Sequence, residues 1–174
     1  MRALHPSCFS GLAAAILVAT PPTRADDCAT VKAASIAQIK VPHTDAHLTI
    51  PPGKAPQRVD MVFKNDKVYT RYNGAWSSMA FPAQDQIDTI NKLAATARPG
   101  VTYNCQKVGN ESINGESAGV FVSHDDSHGK VTDSRLWLSD KTGLPLKSEV
   151  HLSDGTVITD EFRYTNVDAP PGVK

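Results

Sequence analysis

Three groups of residues have types and spacings that could do chemistry. The first is Gly115-Glu116-Ser117-Ala118-Gly119, a G-x-S-x-G spacing. In hydrolases that motif sits on a strand-to-helix elbow, whose strain exposes the serine hydroxyl. Here Asn114-Gly115 is a hairpin signal and Val120-Phe121-Val122 continues as a strand, so Ser117 is expected to be an ordinary strand residue. The second group is His124-Asp125-Asp126-Ser127-His128. Its imidazoles and carboxylates suit Zn²⁺ or Cu²⁺, but it ends in Gly129, as a solvated loop between strands does. The third is His43, Asp45 and His47, which alternate along one strand and so point to one face. Two imidazoles and a carboxylate can hold a metal. The plainer expectation is an exposed face with a few polar groups. From these residues we assign no catalytic set, no metal site and no cofactor, and the chain is expected not to be an enzyme.

The elements that must position these residues follow from composition and patterning. The 174 residues are 40% apolar and 21% charged, with 18 basic and 18 acidic side chains. That length fits one domain. Charge balance argues against nucleic acid as a partner, because phosphate binding needs a basic face. Residues 1–25 read as a secretory signal peptide: Arg2, a short apolar run from Gly11 to Ala19, then Ala25 before the expected cleavage. Cleavage would leave residues 26–174 as a single domain with 16 basic and 18 acidic residues and no further apolar stretch able to span a membrane. Only Cys28 and Cys105 would remain. In an oxidising compartment two cysteines allow one pairing, and a structural disulfide is expected.

A capped helix is expected from Asp26 to before Pro42, and a second over 83–97 between Pro82 and Arg98-Pro99-Gly100. Between and after them run about nine short alternating stretches separated by turn residues. The pattern predicts an α+β fold, mostly antiparallel. Two helices cannot cover nine flat strands, so the sheet is expected to curl round them as a half-barrel. Strand parity nominates an inward, cavity-lining set: Leu48, Ile50, Val59, Met61, Phe63, Val120, Val122, Leu136, Leu138, Val150, Ile158, Phe162 and Tyr164, with Ile87 and Ile90 of the second helix facing them. Leu146, Ser148, Val150 and Leu152 are expected to share a face, Tyr69 and Trp137 to lie off the inward one, and the tail from Val167 to be loose.

Several segments also carry a family likeness. RLWLSDKTGLPLKSEV (135–150) followed by FRYTNVDAPPGV (162–173), NGAWSSMAFPAQDQIDTI (73–90) and CQKVGNESINGESAGVF (105–121) resemble small exported bacterial proteins related to the outer-membrane lipoprotein carrier LolA. The likeness covers about residues 27–173. It implies a half-open β-barrel curled around α-helices, with an interior that accepts acyl chains in some relatives. No Arg of this chain is matched to the cavity arginine that regulates opening in the carrier itself. Together these readings predict a periplasmic binding protein or carrier for an acyl chain or lipid. The alternative is a non-enzymatic envelope interaction or sensor module with a packed interior.

Overall fold

The computed structural model describes residues 24–95, 101–127 and 129–173. Helix α1 (Arg24–Ile39) leads into four strands, β1 (His43–Ile50), β2 (Gln57–Lys64), β3 (Lys67–Tyr72) and β4 (Ala75–Ala80). Helix α2 (Ala83–Ala95) follows, and then β5 (Val101–Ile113), β6 (Glu116–Ser127), β7 (Lys130–Ser139), β8 (Pro145–Leu152) and β9 (Val157–Arg163). All nine strands form one antiparallel sheet in the order β4-β3-β2-β1-β9-β8-β7-β6-β5. The half-barrel of about nine strands and two helices expected from the pattern is therefore present. Most of the expected signal peptide lies outside the described residues, and its expected cleavage position falls within the first turn of α1.

The turns explain the register. Asn65 and Asp66 both have φ of 55°, Asn73 and Gly74 have 49° and 83°, and Asn114 and Gly115 have 52° and 84°. Two successive residues with positive φ make the tight turn whose twist suits a two-residue hairpin. Seven of the eight strand pairs join neighbours in sequence, inside two meanders, β1–β4 and β5–β9. The β1–β9 pair joins the meanders. The connection between β4 and β5 runs from one edge of the sheet to the other and contains α2. Nine flat strands would put those edges ~38 Å apart. A 13-residue helix is only ~20 Å long, so curling the sheet eases the span.

The concave face is fixed by α1. Ala34 packs on Phe121 and Leu138, with Val31 and Leu136 beside them. Cys28 is bonded to Cys105, the expected disulfide. The convex face has its own small cluster of Ala118, Val120 and Trp137, flanked by Ile113 and Leu146. Trp137 donates from Nε1 to Glu111 and lies under the cationic ends of Arg135 and Lys147.

Several expectations are corrected. Leu48 and Ile50 pair with Thr159 and Val157 on the convex face, opposite to Phe162. Val120 and Val122 pair with Trp137 and Arg135, also convex. The cause is the unbroken Val120-Phe121-Val122 run, which is apolar on both faces, so alternation cannot choose between them. Phe121 is the residue that meets α1. Leu146 leaves the face of Ser148 and Val150 because a bulge opposite Trp137 and Leu138 inserts one extra residue in β8. Tyr69 and Trp137 do lie off the concave face, but both are buried. The stretch His124–Ser127, expected as loop, is strand paired with β7. The tail is anchored: Lys64 Nζ donates to the Val167 carbonyl at 2.7 Å, and Pro170 is buried.

The disulfide closes a separation of 77 residues. On the chain-entropy model that constraint stabilises by about 4 kcal/mol. The Cys28→Ala/Cys105→Ala variant is expected to lose stability of that order in urea denaturation, and the parent measured in reductant should match it.

Candidate functional site

Strand β1 inverts the usual polarity of a half-buried strand. Its apolar residues Ala46, Leu48 and Ile50 face outward, and His43, Asp45 and His47 face the concave interior. The register on both sides fixes this. His43 lies opposite Phe63, Asp45 between Met61 and Phe162, and His47 between Val59 and Asp160. His43 and Asp45 are only 5% and 7% exposed. The expected exposed polar face is thus an interior one.

The imidazole of His43 stacks on Phe63 with centroids 4.5 Å apart, and Phe162 and Tyr164 stand at 6.3 and 5.9 Å. Its Nδ1–H donates to the Val41 carbonyl at 2.9 Å. Burial holds its pKa below the ordinary value, which favours the neutral ring. Tyr164 donates its hydroxyl to the Pro145 carbonyl at 2.6 Å, and burial raises its pKa.

Further along the strand, His47 Nδ1 meets Asp160 Oδ1 at 2.6 Å and its Nε2 meets Thr49 Oγ1 at 3.0 Å. Asp160 Oδ2 accepts from Ser148 at 2.7 Å. Asp45 completes the group: one ligating atom from each of Asp45, His47 and Asp160 lies within 4.8 Å of the others. Burial, and then the charge of Asp160, push the Asp45 carboxyl up to about 7. Its Oδ1 is buried without a hydrogen-bond partner.

Asp45 also forms part of the wall of a recess of about 160 Å³, with Gln38, Ile39, His43, Phe63, Phe81 and Phe162. A second recess of about 260 Å³, at the β2–β3 turn and the start of α2, shares Ile39, Phe63 and Phe81 with it. Each is below the several hundred Å³ typical of a small-molecule site. Of the nominated lining residues, Val59, Met61, Phe63, Leu136, Leu138, Val150, Ile158 and Phe162 are on the concave face, and Tyr164 reaches it beside His43. Ile87 is buried and Ile90 half-buried on α2, which packs against α1. Val120, Val122, Leu48 and Ile50 are not brought in. Asp160, Gln38 and Phe81 were not nominated. Asp160 stands between Ile158 and Phe162 at an inward position, which was its available signal.

The remaining candidates are dispersed. Ser117 is on a hairpin arm and donates to Asp140 at 2.5 Å, with no elbow and no imidazole partner among its contacts. His124 pairs with Asp133 at 2.7 Å on the exposed convex side; His128 lies outside the described residues. The strand arginines Arg58, Arg71, Arg135 and Arg163 all take convex positions, so none of them enters the concave face.

No protein-family model matches the chain, and no curated protein matches it. Solved structures do share its fold. The Mycobacterium tuberculosis lipoprotein LppX is 14% identical, with a TM-score of 0.51 over 84% of this chain and 100% of that one. MucB, in the Pseudomonas aeruginosa MucA/MucB complex, is 16% identical, with a TM-score of 0.54 over 83% of this chain and 59% of that one. This chain thus spans less than two thirds of MucB. At these identities the likeness is one of fold, an open antiparallel sheet curled around helices, which is the architecture the resemblance implied.

Asp45 gives a pH test. Its carboxyl pKa rises from 3.8 to about 7 on folding, so the folded state holds the proton more tightly. The associated stability is fully present below pH ~4 and is lost as pH rises towards ~7. Asp45→Asn is expected to match the parent near pH 4 and to exceed it at pH 8, by an amount on the order of a few kcal/mol. Urea denaturation at pH 4, 6 and 8 reads this directly, and a variant weaker than the parent at pH 8 would contradict it.

Proposed function

We propose that the protein is a non-enzymatic, extracytoplasmic binding protein or carrier for a hydrophobic ligand, an acyl chain or lipid, held between the helices and the concave face of β1–β4. One observation carries this reading: apolar side chains of β2, β4 and the residue after β4 on that half of the face are incompletely covered. Over β6 and β7, α1 seals Phe121 and Leu138 to 7% and 5% exposure. Across the sheet, Met79 of β4 takes a concave position and is 66% exposed. Val59, Met61, Phe63 and Phe81 remain only half-buried.

The mechanism is burial. Each CH₂ moved from water against these side chains contributes ~0.8 kcal/mol. The two recesses share walls, so displacement of α2 from the β2–β3 turn would merge and enlarge them. His43, Asp45 and Gln38 provide polar groups at one end for a head group. The disulfide supports an oxidising compartment, and the expected signal peptide of residues 1–25 supports export to the periplasm.

A second reading, a protein-interaction module, rests on the sheet edges. The run from Gln106 to Ser112 on edge strand β5 is exposed throughout, and an open edge can accept an added strand. MucB, of the same fold, is seen in complex with MucA.

Native mass spectrometry after gentle purification, together with titration of a fluorescent fatty acid, separates the two. The expected outcome is saturable binding of one probe per chain. Met79→Asp and Phe81→Ser should weaken it about tenfold or more, the equivalent of ~1.4 kcal/mol of lost apolar contact. Trp76→Ser, on the convex side of β4, should leave it unchanged. A protein repeatedly empty and unable to bind the probe would leave the interaction module as the better reading.

A further inference from the structure

We propose that Asp45, His47 and Asp160 form a binding site for a divalent transition-metal ion of the zinc class. The site does not depend on the hydrophobic-ligand reading: Asp45 also walls the recess, but His47 and Asp160 belong to the β1–β9 ladder and not to the exposed apolar face. One imidazole and two carboxylates are a donor set that zinc accepts. The imidazole separates it from the all-oxygen sets preferred by calcium and magnesium.

Three observations distinguish this group from an ordinary cluster of acids. The first is its placement on three interior positions of two paired central strands, where the register holds the side chains face to face. Sites built on strands keep their geometry better than sites on loops. The second is the Asp45 carboxylate. The residue is 7% exposed and its Oδ1 has no hydrogen-bond partner. An unpartnered buried carboxylate oxygen is costly, and a bound cation would remove that cost. The third is an outer layer already in place. Thr49 Oγ1 engages His47 Nε2, and Ser148 donates to Asp160 Oδ2. Those contacts leave His47 Nδ1 and Asp160 Oδ1 facing each other, as outer hydrogen bonds do for metal ligands.

For the His47–Asp160 pair the fit needs little movement, and the Asp45 oxygen lies within 4.8 Å of both. His47 Nδ1 and Asp160 Oδ1 now stand 2.6 Å apart. Bonds of ~2.0–2.1 Å in a tetrahedron separate two ligand atoms by roughly 3.3 Å, so the pair opens by less than about 1 Å. Three protein ligands leave a fourth position for water or another donor, and Asp45 places it beside the recess lined by Gln38 and His43.

The test is titration of the chelator-treated full chain with zinc chloride in a calorimeter, paralleled by the visible absorption of the cobalt(II)-loaded protein. The proposal expects one ion per chain and a cobalt band of low-coordination type. His47→Gln and Asp160→Asn should abolish saturable binding. Asp45→Asn should lower affinity at least tenfold, and Thr49→Val should lower it by about tenfold. His124→Ala/His151→Ala, on the convex face, should bind as the parent does. Asp45→Asn removes a buried charge and keeps the shape, so it tests the site even if the His47 or Asp160 variants fail to fold, which circular dichroism will report. No saturable binding, undiminished binding in Asp45→Asn, or loss confined to the His124→Ala/His151→Ala protein would each overturn the site.

Discussion

The pairing of β1 with β9 is the constraint on which the rest of the molecule depends. Each meander closes through local turns, whereas this ladder joins the first strand to the last, from Thr44↔Arg163 to Ile50↔Val157. Without it the sheet is two separate sets of strands. It also decides the faces, because a slip of one residue would turn every side chain of β1 to the other side. His47 and Asp160 are 113 residues apart in the chain and meet at 2.6 Å only through this register. The loop-closure entropy of so long a separation must be met before the contact exists, which favours completing local hairpins first. The Cys28–Cys105 bond holds α1 to the far meander, so helix and ladder fasten the same two halves.

Much of the fold was legible because its punctuation is local. Asn114-Gly115 marks a hairpin whose backbone needs two positive φ values, and the structure has them. The bounds of β1 and β2 coincide with the alternating runs 43–50 and 57–64 read from the sequence. Pro82 immediately precedes α2, whose first residue is Ala83, as the pattern placed it. The disulfide followed from the cysteine count once residues 1–25 were set aside. Faces were harder. Val120 and Val122 look identical to core residues in a one-dimensional pattern, and only the register shows Phe121 turned to α1 and its neighbours turned to Trp137. Leu146 depends on a bulge, a two-strand property that no single strand encodes.

The candidate site was the least legible part because β1 contradicts the usual sign of the alternation. A polar face on a strand ordinarily means solvent, and here it means the interior. Where local rules fail in an otherwise consistent sequence, a functional or strained position is the expected cause. His43 is accounted for by packing: it stacks on Phe63, donates to Val41 and stays neutral. Asp45 is not, since its neighbours are Met61, Phe162 and a second carboxylate. A core selected for stability alone would hold a neutral side chain there.

Asp45 is also the point where polar and apolar parts of the interior meet. It belongs to the group with His47 and Asp160, and it walls the recess with Phe63, Phe81 and Phe162. Charge on Asp45 opposes the seating of an apolar group in that recess, and whatever neutralises the charge favours it. Such effects are reciprocal: an apolar occupant of the recess must, to the same extent, favour the neutralised form of Asp45. The polarity of the recess is therefore a property of the β1–β9 ladder as much as of the apolar residues that line it. That ladder sets the fold and places a carboxylate inside it.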